Sequence, residues 1–300
     1  MKYLVTDIGG TFTKYAVMDE ECRIYEKGKV PTEKGSTEEF LDMLVELFGK
    51  YGEGTEGMAV SAPGIIDSER GFMHNAGAIW CVEDLDITGV LKERLGVPVT
   101  VENDAKCAAL AEMWRGSLQG CRNAAVMIIG TGLGGAVFCD GKLVKGSHLF
   151  AGEFSYILSN VEDALNPENI LGANGGAPAL ITLVAEKKGM PKEELDGVKV
   201  FEMANAGDAE TLEALHMYCR RLAVHILNCQ FMVDPEKIAV GGGISVQPLL
   251  LTTIREEMEK IYKVFPHEIP APEVTTCKYF NDSNLIGALY VYLNAHPVRA

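Results

Sequence analysis

The sequence lacks the features that define several classes of protein. Its eight cysteines form no CxxC pair, no apolar run is long enough to cross a bilayer, and no GxxxxGK(S/T) segment occurs. These absences argue against a disulfide framework, a membrane-spanning protein and a P-loop nucleotidase. Positive charge is also scarce, because 27 lysines and arginines stand against 42 aspartates and glutamates. The resulting net charge of −15 opposes general binding to nucleic acid or to an anionic membrane.

What remains is the composition of an ordinary globular protein. Hydrophobic residues make up 47% of the 300 positions and charged residues 23%, and this length is sufficient for two domains. Met1 leads almost directly into an apolar segment that ends at Asp7, with no signal peptide before it. We therefore expect a cytoplasmic protein with reduced cysteines that binds neither nucleic acid nor membrane.

Two glycine-rich turns lie between short apolar runs. In AAVMIIGTGLGGAVFCD (residues 124–140), the glycine turn at 130–135 separates two runs that predict buried strands. Glycine leaves backbone N–H groups unobstructed, so such a turn can surround a phosphate oxygen. Residues 7–11 (DIGGT) repeat the plan near the N-terminus and add the carboxylate of Asp7, which could hold a magnesium-bound water. The pair predicts two halves of the chain that close on one polyphosphate.

The second glycine turn also has the GxGxxG spacing of a dinucleotide-binding fingerprint. That fingerprint requires a helix directly after the glycines, whereas residues 136–139 (AVFC) predict a strand. We therefore reject dinucleotide binding. A third glycine segment, residues 241–243, follows a predicted strand and precedes a helix. It could accept a flat ligand such as adenosine, or it could be only a flexible turn.

Residues 102–104 (END) lie where a predicted strand meets a helix. Ligands of open α/β folds gather at such strand ends, where Asp104 could accept a hydroxyl proton and Asn103 could fix a neighbouring hydroxyl. The alternative is that either residue only caps the helix. A lone glutamate such as Glu153 is typical of a solvated surface position. The histidines do not have the spacing of metal ligands.

Strands and helices alternate along the chain, which predicts an α/β protein. The predicted helices cover 37–51, 86–95, 103–115, 178–188, 198–206, 209–233, 247–262 and 283–293. Thr37 is the predicted N-cap of the first of these helices. The polar, glycine-containing stretch at 115–123 predicts a domain boundary.

Taken together, these segments resemble the ROK (repressor, open reading frame, kinase) family of the actin/hexokinase superfamily. Residues 7–11 and 130–135 resemble its two phosphate loops, and residues 61–67 (SAPGIID) its PGxxD sugar-domain segment. The remaining matches are residues 102–105 with the catalytic-base segment, 241–243 with the adenosine loop, and 281–282 with 285–288 as the closing helix. The resemblance covers essentially the whole chain.

This resemblance implies a two-lobed α/β protein with the actin-like (ribonuclease H-like) ATPase fold and an active site in the cleft between the lobes. Residues 1–117, with the C-terminal helix at about 284–300, would form the smaller, sugar-binding lobe. Residues 118–283 would form the larger lobe with the second phosphate loop and the adenosine loop. A sugar, ATP and Mg²⁺ are the implied ligands, and a homodimer is the implied assembly.

The resemblance also assigns the site residues. Asp104 would be the general base that takes a proton from a sugar hydroxyl as its oxygen attacks the γ-phosphate. The implied sugar-binding residues are Gly64, Asn75, Asn103, Asp104, Glu153 and Tyr156. The implied ATP and phosphate residues are Asp7, Gly9, Gly10, Thr11, Gly130, Thr131, Gly132, Gly134, Gly241, Gly242 and Gly243, with Asp7 also holding Mg²⁺ through water.

The sequence departs from the family pattern at one segment. Many members carry GExGH followed by a zinc-binding CxCGxxGCxE cluster, but Tyr156 stands where that histidine would be. Residues 166–176 (NPENILGANGG) contain no cysteine, so we expect no zinc site. The family histidine touches the sugar near its anomeric end, so its replacement leaves the identity of the sugar open.

The implied activity is ATP-dependent transfer of phosphate to the 6-hydroxyl of glucose or a related hexose. A β-glucoside, N-acetylmannosamine or fructose kinase is the alternative within this class. A non-catalytic, sugar-sensing regulator is a second class, but its helix-turn-helix domain would precede the first strand, and the acidic charge opposes DNA binding. An acyl-phosphate kinase or another actin-like ATPase is a third possibility.

Overall fold

The computed structural model of the protein describes residues 1–297. The last residues of the predicted C-terminal helix segment, 298–300, lie outside the described residues. The chain divides into two compact units, each with its own sheet. Unit 1 comprises Met1–Trp114, Gly146–Phe150 and the chain from Asn281, and unit 2 comprises Arg115–Lys145 and Ala151–Phe280. The assignment of sugar binding and adenosine binding to separate lobes stays a prediction.

The secondary structure alternates as an α/β chain should. The strands are β1 (Lys2–Ile8), β2 (Phe12–Asp19), β3 (Ile24–Pro31), β4 (Met58–Ala62), β5 (Ile66–Asp67), β6 (Phe72–Asn75), β7 (Glu83–Asp86), β8 (Val99–Asn103), β9 (Ala124–Ile129), β10 (Leu133–Cys139), β11 (Lys142–Leu143), β12 (Lys237–Gly242) and β13 (Glu273–Thr276). The helices are α1 (Thr37–Tyr51), α2 (Ile87–Leu95), α3 (Asp104–Arg115), α4 (Leu171–Asn174), α5 (Ala177–Lys188), α6 (Gly197–Asn205), α7 (Ala209–Val233), α8 (Pro248–Tyr262) and α9 (Ser283–Ala295). None of the helices within residues 1–297 combines the length and apolarity that crossing a bilayer requires.

The main sheet of unit 1 has the order β3-β2-β1-β4-β8. Strands β1, β2 and β3 run antiparallel, whereas β4 and β8 run parallel to β1. The register pairs Asp7 with Ser61 and Ser61 with Glu102 at the carboxyl ends of the three parallel strands. The strands β5, β6 and β7 form a separate antiparallel sheet. Parallel pairing therefore places three polar side chains side by side at the sheet edge where α/β folds bind ligands.

The sheet of unit 2 repeats this plan with the order β11-β10-β9-β12-β13. An antiparallel hairpin, β9–β10, is again followed by parallel strands, here β12 and β13. Its core is formed by these strands and by α5, α6, α7 and α8, with Tyr218, Phe201, Ile238 and Ile254 almost completely buried. Strand β13 was not predicted, because EVTT is short and follows a proline-rich stretch.

The glycine turns are shorter than predicted. Strand β10 already begins at Leu133, so Gly134 and Gly135 lie within a strand rather than in the turn. Gly241 and Gly242 likewise belong to β12. At position 135 glycine is needed for packing, because an added Cβ would lie 2.4 Å from Cδ2 of Phe154. The prediction of a strand, not a helix, after these glycines is confirmed.

The first helix covers the predicted residues 37–51, but its N-cap lies one residue earlier than predicted. Its N-cap is Ser36, not Thr37, because Ser36 has an extended backbone and its Oγ accepts a 3.2 Å hydrogen bond from the N–H of Glu39. Thr37 is already helical, and its hydroxyl donates to the carbonyl of Cys81. That bond ties the start of α1 to the segment between β6 and β7.

Candidate active site

The Asp7 carboxylate lies at the carboxyl end of β1 and is almost completely buried. Its Oδ1 accepts hydrogen bonds from Ser61 Oγ at 3.0 Å and from Asn284 Nδ2 at 2.9 Å. Lys14 Nζ lies 3.5 Å from Oδ2. These contacts fix the orientation of the carboxylate, and an oxygen ligand held in this way suits a hydrated magnesium ion.

The backbone of the first phosphate loop is oriented by bonds to its carbonyl oxygens. Thr32 Oγ1 donates to the carbonyl of Gly9 at 2.7 Å, and Lys34 Nζ donates to that of Gly10 at 2.6 Å. In a trans peptide the carbonyl and the following N–H point in opposite directions. The N–H groups of Gly10 and Thr11 therefore point away from these donors.

Three predicted sugar-binding residues of unit 1 are brought together by hydrogen bonds. Asn103 Nδ2 donates to the carbonyl of Gly64 at 3.0 Å, and Asn75 Oδ1 accepts from the N–H of Ile65 at 3.3 Å. Gly64 has a φ of 97°, and an added Cβ would lie 2.2 Å from the carbonyl oxygen of Asn75. Only glycine fits at this position, and the ends of β4, β6 and β8 meet there.

Asp104 is the first residue of α3 and directly follows β8. It is half-buried, and its Oδ1 accepts a 2.7 Å hydrogen bond from the N–H of Ala105. Asn103 is the residue that caps the helix, because its Oδ1 accepts from the N–H of Lys106 at 3.1 Å. The capping interpretation and the binding interpretation of Asn103 are therefore compatible, since its Nδ2 holds Gly64 at the same time.

Cys107, on the same helix, is completely buried behind these residues. Burial, with the carboxylates of Glu102 and Asp7 nearby, raises the pKa of the Cys107 thiol well above its usual value. A thiol in this state is a poor nucleophile.

Sequence reasoning assigned no individual role to four residues that support this half of the site. Ser61 and Asn284 hold Asp7, Lys14 lies beside it, and the buried Lys106 donates from Nζ to the carbonyl of Leu149 at 3.1 Å. Lysine within the apolar helix sequence KCAALA was a signal that could have identified Lys106. Asn284 carried no such signal, because its partner is distant in the sequence.

The second phosphate loop, in unit 2, is the tight connection between β9 and β10. The N–H of Gly130 donates to the carbonyl of Gly132 at 3.0 Å, and the carbonyl of Gly130 accepts from the N–H of Ala177 at 3.0 Å. An added Cβ at Gly176 would lie 2.3 Å from the carbonyl oxygen of Thr131. The loop therefore packs directly on the first residues of α5, and the N–H of Thr131 points away from that helix.

The three glycines of the adenosine loop have different environments. An added Cβ at Gly241 would lie 2.7 Å from Ile128 Cδ1, and one at Gly242, where φ is 95°, would lie 2.0 Å from the carbonyl oxygen of Ile129. At Gly243 an added Cβ would meet nothing within 4 Å. The first two glycines are thus required by packing, and only the third faces open space that could receive a ligand.

Glu153 directly precedes a single turn of 3-10 helix, Phe154–Tyr156, in unit 2, and Tyr156 ends that turn. Phe154 between them is buried, whereas Tyr156 is 66% exposed. The predicted sugar-binding set is therefore divided between the units, with Gly64, Asn75, Asn103 and Asp104 in unit 1. The structure does not bring all of them into one unit.

An asparagine network occupies the segment where the family's zinc-binding cysteines would lie. Asn174 Nδ2 donates to Ser159 Oγ at 3.1 Å and to the carbonyl of Glu168 at 2.6 Å, and Asn169 Nδ2 donates to the carbonyl of Asp163 at 2.9 Å. Within residues 1–297, no three His, Cys, Asp or Glu side chains are grouped so that they could hold a metal ion. The expectation of no zinc stays a prediction.

Solved structures place this architecture among the actin-like kinases. A ROK family protein from Streptococcus pneumoniae in complex with sucrose matches with a TM-score of 0.87 and 30% identity over 98% of this chain and 99% of that one. A ROK family glucokinase from Streptomyces griseus, in complex with glucose and AMPPNP, matches with a TM-score of 0.79 and 25% identity over 96% of this chain and 98% of that one. The predicted actin-like α/β fold is confirmed.

The family model for the ROK family matches residues 3–295, and the chain belongs to this family. A β-glucoside kinase from Klebsiella pneumoniae is 32% identical over 97% of this chain and 95% of that protein. The chain is a carbohydrate kinase of this family.

Proposed function

We propose that the chain transfers the γ-phosphate of ATP to the 6-hydroxyl of a β-glucoside, with Asp104 as general base. The observation that carries this proposal is the hydrogen bond from Asn103 to the Gly64 carbonyl, which fixes the strand end that immediately precedes Asp104. A half-buried carboxylate at the start of a helix, next to an oriented amide, is suited to bind a hydroxyl and accept its proton.

Positioning and charge neutralisation would supply most of the rate enhancement, as phosphoryl transfer generally requires. The N–H groups of Gly10, Thr11 and Thr131 would bind phosphate oxygens, and the open face at Gly243 would receive the adenosine. Asp7 would hold Mg²⁺ through water, and the bound ion would neutralise charge on the phosphates. Asp104 would take the proton as the sugar oxygen bonds to phosphorus and the bond to ADP breaks.

Three observations favour a sugar that bears a substituent, such as a β-glucoside, over the free sugar. The relative from Klebsiella pneumoniae is a β-glucoside kinase, and Tyr156 replaces the family histidine implied to lie near the anomeric end. The related protein from Streptococcus pneumoniae binds sucrose, which is a disaccharide. Glucose is the second candidate, because the related glucokinase from Streptomyces griseus binds it. The homodimer implied by the resemblance and the cytoplasmic location expected from the composition both stay predictions.

A coupled assay of ADP release over cellobiose, methyl β-glucoside, glucose, N-acetylmannosamine and fructose tests the proposal. We expect a β-glucoside to give the highest kcat/KM, and Asp104→Asn to lower kcat about 10²- to 10⁴-fold, as loss of a general base does. Asp42→Asn, which changes an exposed aspartate paired with Arg94, is the matched control and should retain activity. Turnover that no sugar stimulates, or an Asp104→Asn variant as active as the control, would overturn the proposal.

A further inference from the structure

Trp80 is an exposed indole in a chain that contains only two tryptophans. Its side chain is 86% exposed, whereas Trp114 is half-buried and its ring centroid lies 5.5 Å from that of Tyr290. Tryptophan is highly buried on average, because leaving its large apolar surface in water forgoes a favourable transfer free energy. A tryptophan that packing does not explain calls for another role.

The turn that carries Trp80 is well anchored. Ala76, Ile79 and Val82 are each at most 2% exposed. The N–H of Ile79 donates to the carbonyl of Ala76 at 3.1 Å, and the N–H of Val82 donates to that of Ile79 at 3.1 Å. Thr37 ties the next residue, Cys81, to the start of α1. A fixed backbone therefore presents the exposed indole.

This turn also adjoins both predicted functional segments of unit 1. It follows Asn75, whose Oδ1 accepts from the N–H groups of Ile65 at 3.3 Å and Gly77 at 3.4 Å. An added Cβ at Gly10, in the first phosphate loop, would lie 3.3 Å from the Cβ of Ala78. Trp80 therefore comes two residues after a contact with the phosphate loop and five after a predicted sugar ligand.

Resting on the function proposed above, we propose that Trp80 is a specificity residue that binds the group linked to the glucosyl unit of the acceptor. The indole stacks on an aryl ring or on the apolar face of a second sugar ring. Flat aromatic surfaces gain both apolar burial and ring-stacking energy in such contacts. The 6-hydroxyl of the first ring stays available to Asp104, so Trp80 affects binding of the substituent and not the chemical step.

Kinetics of Trp80→Ala and Trp80→Phe test this role. For Trp80→Ala we expect KM to rise about tenfold for phenyl β-glucoside and cellobiose, which corresponds to about 1.4 kcal/mol. We expect kcat, KM for ATP and KM for glucose to change less than about twofold. Trp80→Phe retains a flat ring and should recover most of the lost affinity.

Fluorescence provides a readout that does not depend on turnover. In a Trp114→Phe variant, Trp80 is the sole remaining tryptophan, and its exposure should make it strongly quenched by acrylamide. Cellobiose at saturating concentration should reduce this quenching, whereas glucose should leave it within error of the free protein.

The two readouts separate failure of this inference from failure of the proposed function. Equal losses on glucose and on both glucosides, or quenching that cellobiose does not change, would overturn the role of Trp80 even in an active kinase. Protection by cellobiose in a protein that phosphorylates no sugar would support the binding role and refute the proposed kinase reaction.

Discussion

Asn284 Nδ2 donates a 2.9 Å hydrogen bond to Oδ1 of Asp7, although 277 positions separate the two residues. Asn284 lies in the first turn of α9, which packs against β1, β4 and β8. An added Cβ at Gly287, one turn further along, would lie 1.8 Å from the carbonyl oxygen of Cys107, so this helix fits closely against α3. Helix α9, near the C-terminus, thus orients the Asp7 carboxylate near the N-terminus.

We expect Asn284→Ala to impair metal-dependent catalysis more than folding. Loss of one donor frees the Asp7 carboxylate to rotate, so the Mg²⁺ concentration for half-maximal activity should rise and kcat should fall, each about tenfold. Loss of one hydrogen bond costs on the order of 1–2 kcal/mol in the free energy of unfolding. A magnesium titration of initial rates and a urea melt measure the two effects.

Asn294→Ala is a matched control for this change. Asn294 is on the same helix, is exposed, and donates to the carbonyl of Tyr290 at 2.7 Å. It should leave the magnesium dependence unchanged. Equal magnesium curves for the Asn284 and Asn294 variants would contradict a role for Asn284 in orienting Asp7.

Neighbouring glycines of the adenosine loop should respond differently to alanine. At Gly243 the new methyl group meets open space, so Gly243→Ala should fold normally but raise KM for ATP by at least about fivefold, because the methyl occupies the proposed adenosine face. At Gly242 the φ of 95° and the nearby Ile129 carbonyl are incompatible with a Cβ, so Gly242→Ala should lower stability by several kcal/mol.

Thermal melts with and without AMPPNP distinguish these outcomes. Without nucleotide the Gly243 variant should melt at the wild-type temperature, and AMPPNP should stabilise it less than wild type, whereas the Gly242 variant should melt lower in both conditions. Nucleotide stabilisation of Gly243→Ala equal to that of wild type would show that adenosine does not lie against this residue.

The local sequence was sufficient to predict most elements because their signals are short-range. Helix α7 was predicted with the bounds Ala209–Val233 that the structure has, since the buried face that identifies it lies within the segment itself. Glycines were less informative at strand ends. Gly134 and Gly241 were assigned to turns, but strand pairing with β9 extends over both, and a pairing partner is not visible in a local pattern.

Candidate residues of the site could be identified from the sequence only where their signals are local. Segments that carry their chemistry in adjacent residues, such as Asn103 and Asp104, could be identified from the sequence alone. Contacts that depend on tertiary structure could not, and the bonds from Ser61 and Asn284 to Asp7 are of this kind. The resemblance to a family supplied the predicted roles, because composition and spacing do not distinguish a predicted sugar ligand such as Glu153 from a surface residue.

Lys106 should be a positioning residue for the segment Gly146–Phe150. It is 2% exposed, and its Nζ holds the carbonyl of Leu149, whose φ of 67° is unfavourable for a residue with a Cβ. Lys106→Met preserves the volume but removes the donor. We expect amide hydrogen exchange in 146–150 to accelerate at least about tenfold, measured by mass spectrometry of peptides.

The exposed Lys92 on α2 offers a control for this substitution. Lys92→Met should leave exchange in the segment 146–150 at the wild-type rate. Unchanged exchange in the Lys106 variant would mean that other contacts hold the segment and that the bond to Leu149 is dispensable.

Two buried groups on neighbouring helices of unit 2 should make stability depend on pH in separate ranges. Burial opposes ionisation of Glu257, but hydrogen bonds from Arg220, Lys260 and His216 outweigh it and lower the pKa of this carboxyl to about 2. Its contribution to stability is present above the unfolded value of 4.5 and is lost as pH falls towards 2.

Protonation of His225 should change the stability of the protein at higher pH than that of Glu257. His225 is 8% exposed, its Nδ1 has no hydrogen-bond partner within residues 1–297, and burial lowers its pKa from 6.5 to about 4. The unfolded chain therefore takes up a proton near pH 6.5 that the folded chain accepts only near pH 4, and stability is lost as pH falls through this range. Between pH 7.5 and 4.5, urea melts should show that His225 lowers the free energy of unfolding by an amount on the order of 2 kcal/mol. His225→Leu should remove this part of the pH dependence. Glu257 affects stability only at lower pH. If the free energy of unfolding of His225→Leu changes between pH 6.5 and 5 as steeply as that of wild type, His225 is not the group responsible.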